Sequence, residues 1–174
     1  MDQRDEQEFA EYFTARRDAV RRTAYLICGD WHRADDLAQT AFVALHRRWR
    51  KVRDKEALDA YVRRSLVRAS IDDSRRPWRR EHSADALPEA ADAEATDAVG
   101  DTVATRSALV NGLQQVPHRQ RAVLVLRFLE GQSVADVATT LQCTEGTVKS
   151  QTARGLDALR DALGDALDDL RPAG

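Results

Sequence analysis

The segment from residue 116 to residue 160 limits the possible folds of this chain more than any other part of the sequence. It is VPHRQRAVLVLRFLEGQSVADVATTLQCTEGTVKSQTARGLDALR. The pattern predicts a largely apolar helix, a short helix, a four-residue turn and a further helix. This order is typical of a helix-turn-helix, whose second helix enters the major groove of DNA.

Local signals place the boundaries of these helices. Pro117 suits the first turn of a helix because its missing N–H costs nothing there, and Gly131 favours the end of that helix. Ser133, followed three residues later by Asp136, resembles a capping box. Thr144 is the expected N-cap of the recognition helix.

The recognition helix is predicted to have one apolar and one polar face. The apolar residues recur at helical spacing and should face inward: Val148, Thr152, Leu156, Leu159 and Leu163. The residues predicted to face the DNA are Thr144, Glu145, Thr147, Lys149, Ser150, Gln151 and Arg154. Arg154 suits a guanine edge or a phosphate, Lys149 a phosphate, and Glu145 the N4 of cytosine. The alternative is a three-helix bundle with ordinary solvated polar residues.

The N-terminal half also carries helical periodicity. Apolar residues recur from Phe9 to Trp49 with a break at residues 28–30, which predicts two packed helices. A third helix is expected from near Glu56 through Ile71. No segment alternates apolar and polar residues as a strand would, so the predicted fold class is all-α with two small helical domains.

Charge divides the chain into three parts. The net charge is +5 over residues 1–80, −7 over residues 81–105 and zero over residues 106–174, which gives the overall −2. Residues 46–80 hold 13 of the basic residues against 5 acidic ones, which indicates a local basic surface. Residues 81–105 contain no Lys or Arg and are rich in Ala and acid, so we expect a flexible acidic linker between domains at 8–80 and 106–170.

Several classes of protein are excluded by what the sequence lacks. No apolar run is long enough to cross a membrane and the N-terminus is acidic, so we expect no membrane insertion and a cytoplasmic location. Cys28 and Cys143 have no spacing typical of zinc or a redox pair, and we expect both to be packing residues. No catalytic grouping, metal site or cofactor-binding motif is present, which predicts a protein that is not an enzyme and uses no cofactor.

The segment 116–160 closely resembles region 4 of the extracytoplasmic-function (group 4) sigma factors of bacterial RNA polymerase. The string GTVKS at residues 146–150 is specific in this context. The chain departs from the family pattern at His118, at Gln142 in the turn and at Gln151. The resemblance implies that the recognition helix binds the minus-35 promoter element as duplex DNA. Gln142 is expected to adopt a left-handed conformation at a cost of about 1 kcal/mol.

Residues 34–42, ADDLAQTAF, resemble the region 2 motif of the same family. In the family this motif lies on a helix and docks on the clamp helices of the largest polymerase subunit. The resemblance implies that the residues binding core RNA polymerase are Asp35, Asp36, Gln39, Thr40 and Phe42. Thr40 stands where an acidic residue is commoner in the family.

Residues 58–80 occupy the place of the family's promoter-melting and minus-10 elements. The residues implied to hold the opened strand are Tyr61, Arg63, Arg64, Arg68, Arg75, Arg76, Trp78, Arg79 and Arg80. Arginines track phosphates, and aromatic rings stack on unpaired bases. Tyr61 and Trp49 also fit the core of a helical domain, which is the interpretation we favour for both, whereas Trp78 fits either role.

The resemblance implies core RNA polymerase and promoter DNA, both duplex and single-stranded, as partners, and it admits an anti-sigma factor. It also implies that the linker threads the active-site cleft and the RNA exit channel. The linker carboxylates would suit basic channel walls, although composition fits a simple spacer equally well. Two other functions stay open: a regulator that binds duplex DNA by itself, and a small helical enzyme or adaptor.

Overall fold

The computed structural model describes residues 1–52, 54–76 and 100–170 of the chain. Within these ranges the secondary structure is helical and contains no strand. The predicted all-α class is therefore confirmed. In the same ranges, no helix combines the length and the apolar character needed to cross a lipid bilayer.

Three helices and a short 3-10 turn make the N-terminal bundle. They are α1 (Gln3–Cys28), α2 (Trp31–Arg48), the 3-10 turn Trp49–Lys51 and α3 (Lys55–Ser74). Each helix begins at an aspartate whose carboxylate accepts backbone N–H bonds from the first turn, namely Asp2, Asp30 and Asp54. Gly29 ends α1 with a left-handed φ of 75°, which supplies the predicted break between α1 and α2.

Aromatic rings form the centre of this bundle. Phe13 packs edge-on against Phe42 with ring centroids 4.9 Å apart, and Phe9 packs edge-on against Trp49 at 5.3 Å. Trp49 is buried and Tyr61 packs against the same cluster. The expectation that both are core residues agrees with these contacts.

Four further helices make the C-terminal half. They are α4 (Gly100–Gln115), α5 (His118–Leu124), which continues as the π-helix Val125–Leu129, α6 (Val134–Leu141) and α7 (Glu145–Leu170). Pro117 is the N-cap of α5, one position before the predicted place in its first turn. Helix α7 is interrupted at Gly164, where φ is 34° and ψ is −124°.

The two halves are packed against each other. Ile27 of α1 and Val67 of α3 are fully buried in the same cluster as Leu113, Val123 and Val137 of the C-terminal helices. The two predicted helical regions are thus both present, and within the described residues they also pack directly on each other.

Residues 100–105 correct the predicted extent of the linker. Composition places them in the acidic linker, but the structure has them in the first turns of α4. Residues 102–105 are Thr, Val, Ala and Thr. These residues can be helical because the following turns of α4 are held in the core by buried Val110 and Leu113. The rest of the predicted linker, residues 81–99, lies outside the described residues.

Candidate nucleic-acid interface

The recognition helix begins at a hydroxyl cap. Thr144 Oγ1 accepts the backbone N–H of Thr147 at 3.1 Å and lies 2.9 Å from the Thr147 hydroxyl. The predicted cap is therefore confirmed. The remaining free N–H groups at this helix end give it partial positive charge, which favours a phosphate nearby.

The turn before α7 has the geometry expected of a helix-turn-helix. Ser133 caps α6 by accepting the N–H of Asp136 at 3.0 Å, as predicted. Gln142 ends α6 with φ 54° and ψ 50°, the left-handed conformation that the sequence predicts. Buried Val137 and Leu141 of α6 share a core with Val148 of α7, and this contact fixes the angle between the two helices.

Most of the predicted minus-35 residues are exposed on one side of α7. The exposed members are Thr144, Glu145, Lys149, Ser150 and Arg154. Thr147 and Gln151 are half-buried, and the Gln151 side-chain oxygen is buried without a hydrogen-bond partner in the described part of the chain. Gln151 therefore faces outward only in part, because three residues after Val148 it lies on the edge of the buried face.

The predicted polymerase-docking residues lie on α2. Asp35, Asp36, Gln39 and Thr40 are exposed. The Arg21 guanidinium of α1 forms an ion pair with Asp35. The Thr40 hydroxyl donates to the Asp36 carbonyl at 2.8 Å, one turn back along the same helix.

Phe42 is the one predicted docking residue that the structure places in the core. It is 4% exposed and packs edge-on against Phe13. Its apolar ring lies four residues after buried Ala38 and three before buried Leu45, so it faces α1 rather than solvent. It contributes only to the floor of a groove.

This groove lies between α1 and α2 and has a volume of about 870 Å³. Its floor is aromatic, from Phe9, Phe13 and Phe42, and its rim carries Arg17, Arg21 and Asp35 among others. An apolar floor with charged rims suits a protein helix better than a nucleic acid. Gln39 reaches both this groove and the exposed face of α2.

The predicted minus-10 arginines of α3 divide into two groups. Arg68, Arg75 and Arg76 are exposed, whereas Arg63 and Arg64 are half-buried. Arg63 Nε lies 3.8 Å from Glu130 Oε2 at the end of the π-helix segment, and only 21% of its side chain is exposed. Trp78, Arg79 and Arg80 lie outside the described residues.

Tyr61 faces inward on α3. Its ring is half-buried, and its hydroxyl approaches the Ala44 carbonyl of α2 at 3.5 Å. A tyrosine anchored at both ring and hydroxyl is a poor stacking platform for a base. Its assignment to the minus-10 surface is not supported by this position.

An ion pair holds α3 against α2, and the sequence gives no sign of it. Arg33 Nη2 lies 2.7 Å from Asp73 Oδ2, and both side chains are largely buried. Partial burial reduces the screening of this pair by solvent. The pair orients the end of α3 that carries Arg75 and Arg76.

Arg121 is a second residue that sequence reasoning does not identify. It is buried, and its five N–H groups donate to the carbonyls of Leu113, Gln114, Val116 and Ile27 and to the Gln114 side chain at 2.6–3.1 Å. Burial lowers the pKa of this guanidinium to about 10, helped by the nearby Arg33 charge. Its acceptors lie at the C-terminal ends of α1 and α4, where a cation is favoured.

Cys28, Cys143 and His118 pack within the described part of the chain. Cys28 is buried and burial raises its pKa to about 11, and Cys143 packs at the edge of the C-terminal core. Burial also lowers the pKa of His118 to about 4, and its Nε2 lies 3.3 Å from the Ser70 hydroxyl. In the part of the chain that the structure describes, no cluster of three His, Cys, Asp or Glu side chains could hold a metal ion.

Two family models match the chain. The model of sigma-70 region 2 matches residues 12–80, and the model of sigma-70 region 4 matches residues 106–159. The first match contains α2 and α3, and the second contains α5 and α6 and reaches into α7. Together they cover well over half of the chain.

Relatives match over most of their length. The RNA polymerase sigma-E factor of Streptomyces coelicolor is 36% identical over 90% of this chain and 86% of its own. The ECF RNA polymerase sigma factor SigM of Mycobacterium tuberculosis is 33% identical over 92% of this chain and 79% of its own.

The fold is also that of a solved structure, the sigma factor RpoE in complex with the anti-sigma factor NepR from Bartonella quintana. The TM-score is 0.69 at 21% identity, covering 90% of this chain and 97% of that one. This likeness concerns the fold alone. From the matched regions and the identity to sigma-E and SigM, the chain belongs to the extracytoplasmic-function sigma factors of the sigma-70 family, non-enzymatic proteins that bind core RNA polymerase and direct promoter-specific transcription initiation.

Proposed function

We propose that this sigma factor binds the minus-35 duplex through the N-terminal half of α7 and the opened minus-10 strand through α3. The observation that carries the first assignment is the exposure of Lys149, Ser150 and Arg154 on one side of a capped helix that α6 supports. A supported helix with exposed cations near its N-terminus meets the geometric requirement for major-groove binding.

The minus-10 assignment is supported by charge and position. Arg68 on α3 and Arg75 and Arg76 just after its end are exposed cations, and Asp73, two residues before Arg75, is engaged with Arg33. Exposed guanidinium groups close together along the chain suit the phosphates of a single strand. Because Tyr61 faces the core, phosphate contacts carry this proposal more than base stacking does.

Docking on core polymerase is assigned to the exposed face of α2 and the groove beside it. Asp36, Gln39 and Thr40 give a polar surface, and the aromatic floor of the groove offers apolar area next to it. An apolar centre with a polar rim is the usual composition of a specific protein interface. This assignment places the protein in the bacterial cytoplasm, where the polymerase works.

The modest overall charge of the chain fits a protein that binds DNA through weak contacts on separate surfaces. A net charge of −2 gives the free chain no long-range attraction for DNA. Tethering on polymerase raises the effective concentration of each DNA-binding surface near its element. Specific promoter binding is therefore expected only in the complex with core polymerase.

The test is a gel shift of a cognate promoter fragment with the purified chain, with core polymerase, and with both. Retention of the promoter by the complex, competed by unlabelled promoter but not by scrambled DNA, is the expected result. Equally tight and specific binding by the chain alone would contradict the proposal and indicate a regulator that acts on duplex DNA independently. An anti-sigma partner and the role of the acidic linker stay predictions from the sequence.

A further inference from the structure

Four side chains meet across α1 and α2, close to the turn that joins these helices. Arg21 and Tyr25 lie one turn apart on α1, and Trp31 and Asp35 lie one turn apart on α2. Tyr25 contacts Trp31, and Arg21 contacts both Trp31 and Asp35. We call these four residues the stacked array.

The indole of Trp31 is the centre of the stacked array. The Tyr25 ring is parallel to it, with an interplanar angle of 0° and ring centroids 3.9 Å apart. The Arg21 guanidinium carbon lies 4.3 Å from the centroid of the Trp31 ring. Two groups this close to one centroid cannot share a face of the ring, so the indole lies between them. A cation over the face of tryptophan is the most favourable cation–π pair.

Trp31 contributes its ring faces rather than its N–H group. Its Nε1 is buried, and no hydrogen-bond partner for it lies in the described part of the chain. A buried donor without a partner is unfavourable, so this N–H gives no advantage to tryptophan here. A smaller aromatic ring at residue 31 should therefore do most of the same work.

Arg21 connects the stack to a carboxylate. Its Nε donates to Asp35 Oδ1 while the plane of the guanidinium lies over Trp31. The side chains of Arg21 and Asp35 are 36% and 52% exposed, and an ion pair this exposed is weak by itself. The stack fixes the guanidinium and so fixes the pair. A lysine could form the pair but could not stack a plane on the indole at the same time.

The array gives two neighbouring carboxylates different roles. The charge of Asp35 is matched by Arg21. Asp36 points about 100° further around α2, is exposed, and has no ion pair with any residue that the structure describes. Of the two, Asp36 presents an unmatched negative charge to a partner.

The array also stands beside the groove between α1 and α2. Arg21 and Asp35 line this groove together with Phe13 and Phe42 of its floor. Because Trp31 of α2 lies between two side chains of α1, the helices cannot move apart here without breaking the stack. The array therefore sets the spacing of the groove walls next to the docking face.

We propose that Arg21, Tyr25 and Trp31 are positioning residues for polymerase docking. They hold the first turns of α2 against α1, and this contact fixes the groove and the direction of Asp36. Asp35 belongs to the array and acts through Arg21 rather than by contact with polymerase. The inference rests on the proposed docking through α2 and the groove.

A double-mutant cycle tests whether Asp35 acts through Arg21. The dissociation constant for core polymerase is measured by biolayer interferometry for the full chain, Arg21→Ala, Asp35→Ala and the double variant. Each single variant should bind about threefold more weakly, and the double variant should also lose about threefold, because one coupled contact is lost in all three. A loss of about ninefold in the double variant would mean independent effects and would overturn the inference. Arg22→Ala, an exposed arginine next in the chain, is the control and should bind as wild type.

The salt dependence of binding separates a matched charge from a presented one. Two double variants each remove one arginine of α1 and one aspartate of α2, so their net charges are equal. Arg22→Ala with Asp36→Ala should reduce the dependence of the dissociation constant on salt concentration, whereas Arg21→Ala with Asp35→Ala should keep the wild-type dependence. An equal reduction in both would contradict the assignment of Asp35 to the array.

Conservative variants separate positioning from general stability. Trp31→Phe should restore most of the binding that Trp31→Ala loses, and Arg21→Lys should bind as weakly as Arg21→Ala. Urea unfolding identifies the variants that are folded under the binding conditions. Wild-type binding by Arg21→Lys, or a loss in folded Trp31→Phe as large as in Arg21→Ala, would overturn the positioning role. Neither result depends on whether Trp31→Ala folds.

Failure of the docking proposal gives a different result. If Asp36→Arg binds core polymerase as well as wild type does, the docking face itself is wrong. If Asp36→Arg binds weakly while the Arg21 and Asp35 effects add independently, docking through α2 stands and only the role of the array is overturned.

Discussion

At the scale of single residues, Arg154 is the clearest test of DNA recognition. It is exposed on α7, ten residues after the Thr144 cap, and no described side chain is paired with it. Arg154→Ala should weaken promoter binding by the polymerase complex by about 1–3 kcal/mol if it contacts a base, a loss of roughly 5-fold to 150-fold. Run-off transcription and filter binding measure this loss.

Core binding provides the control for Arg154. The variant should be pulled down with polymerase as well as wild type, because α2 is untouched. Arg160→Ala, an exposed arginine farther along the same helix, should retain promoter activity. An unaltered promoter profile for Arg154→Ala would exclude this residue from the recognition surface.

Asp36 tests the docking face on α2 in the same way. Asp36→Arg reverses the charge of an exposed carboxylate. It should lower the yield of the polymerase complex in pull-downs, because the reversed charge is no longer complementary to the surface that the carboxylate contacts on polymerase. The control is Asp161→Arg, the same reversal on α7. Equal yields for both variants would argue against the docking face.

His118 gives a prediction about pH. Burial lowers its pKa from 6.5 to about 4, so between these values the unfolded chain binds more protons than the folded one. Stability conferred by the neutral imidazole is therefore complete above pH 6.5 and is lost as the pH falls toward 4. Between pH 7 and pH 5 the wild type should lose about 2 kcal/mol more of its unfolding free energy than His118→Gln. Urea titrations at both pH values measure the difference, and parallel losses in the two proteins would contradict it.

Residues also show where sequence reasoning stops. The pattern of α7 predicts the exposure of Lys149 and Arg154 correctly, because exposure follows from helical spacing. It is less accurate for Gln151, which lies at the edge of the buried face. On α2, the family resemblance gives Phe42 as a docking residue, but its ring packs inward. Neither the pattern nor the resemblance gives any sign of Arg121, since a buried arginine satisfied by carbonyl groups depends on contacts between distant segments.

At the scale of elements, the turn between α6 and α7 carries measurable strain. Gln142 has φ 54° and ψ 50°, a conformation that glycine adopts without a Cβ clash. Gln142→Gly should stabilise the folded chain by about 0.5–1 kcal/mol. Thermal or urea unfolding measures the change.

The matched control is Gln142→Ala, which keeps the Cβ and loses only the side chain. It should give no stabilisation, because the strain at this position comes from the Cβ. A stabilisation by alanine equal to that by glycine would contradict the proposed cause.

Helix boundaries were the part of the fold that local chemistry predicted well. Ser133 and Thr144 cap α6 and α7 where the sequence places them, because a hydroxyl that accepts the N–H three residues later needs only local geometry. The start of α4 at Gly100 was missed, since a stretch rich in Ala and acid fits both a linker and a solvated helix end.

At the scale of the whole molecule, the packing of the two halves could not be predicted from the sequence. The apolar patterns of α1 and α3 indicate which residues are buried but not whether their partners are near or far along the chain. Ile27 and Val67 fit a separate N-terminal bundle equally well by pattern, yet they pack on the C-terminal helices. This contact joins the N-terminal bundle and the C-terminal helices through one shared core.

The central claim is that α7 and α3 contact two different promoter elements from one polymerase platform. The most direct test is sequencing the 5′ ends of transcripts made in vitro by core polymerase with the wild-type chain, with Arg154→Ala, and with Arg75→Ala and Arg76→Ala combined. Wild type should give start sites sharing two upstream motifs. Arg154→Ala should relax the sequence of the distal motif only. The combined Arg75→Ala and Arg76→Ala variant should reduce initiation and leave the distal motif unchanged. Start sites identical to those of core polymerase alone would contradict the claim.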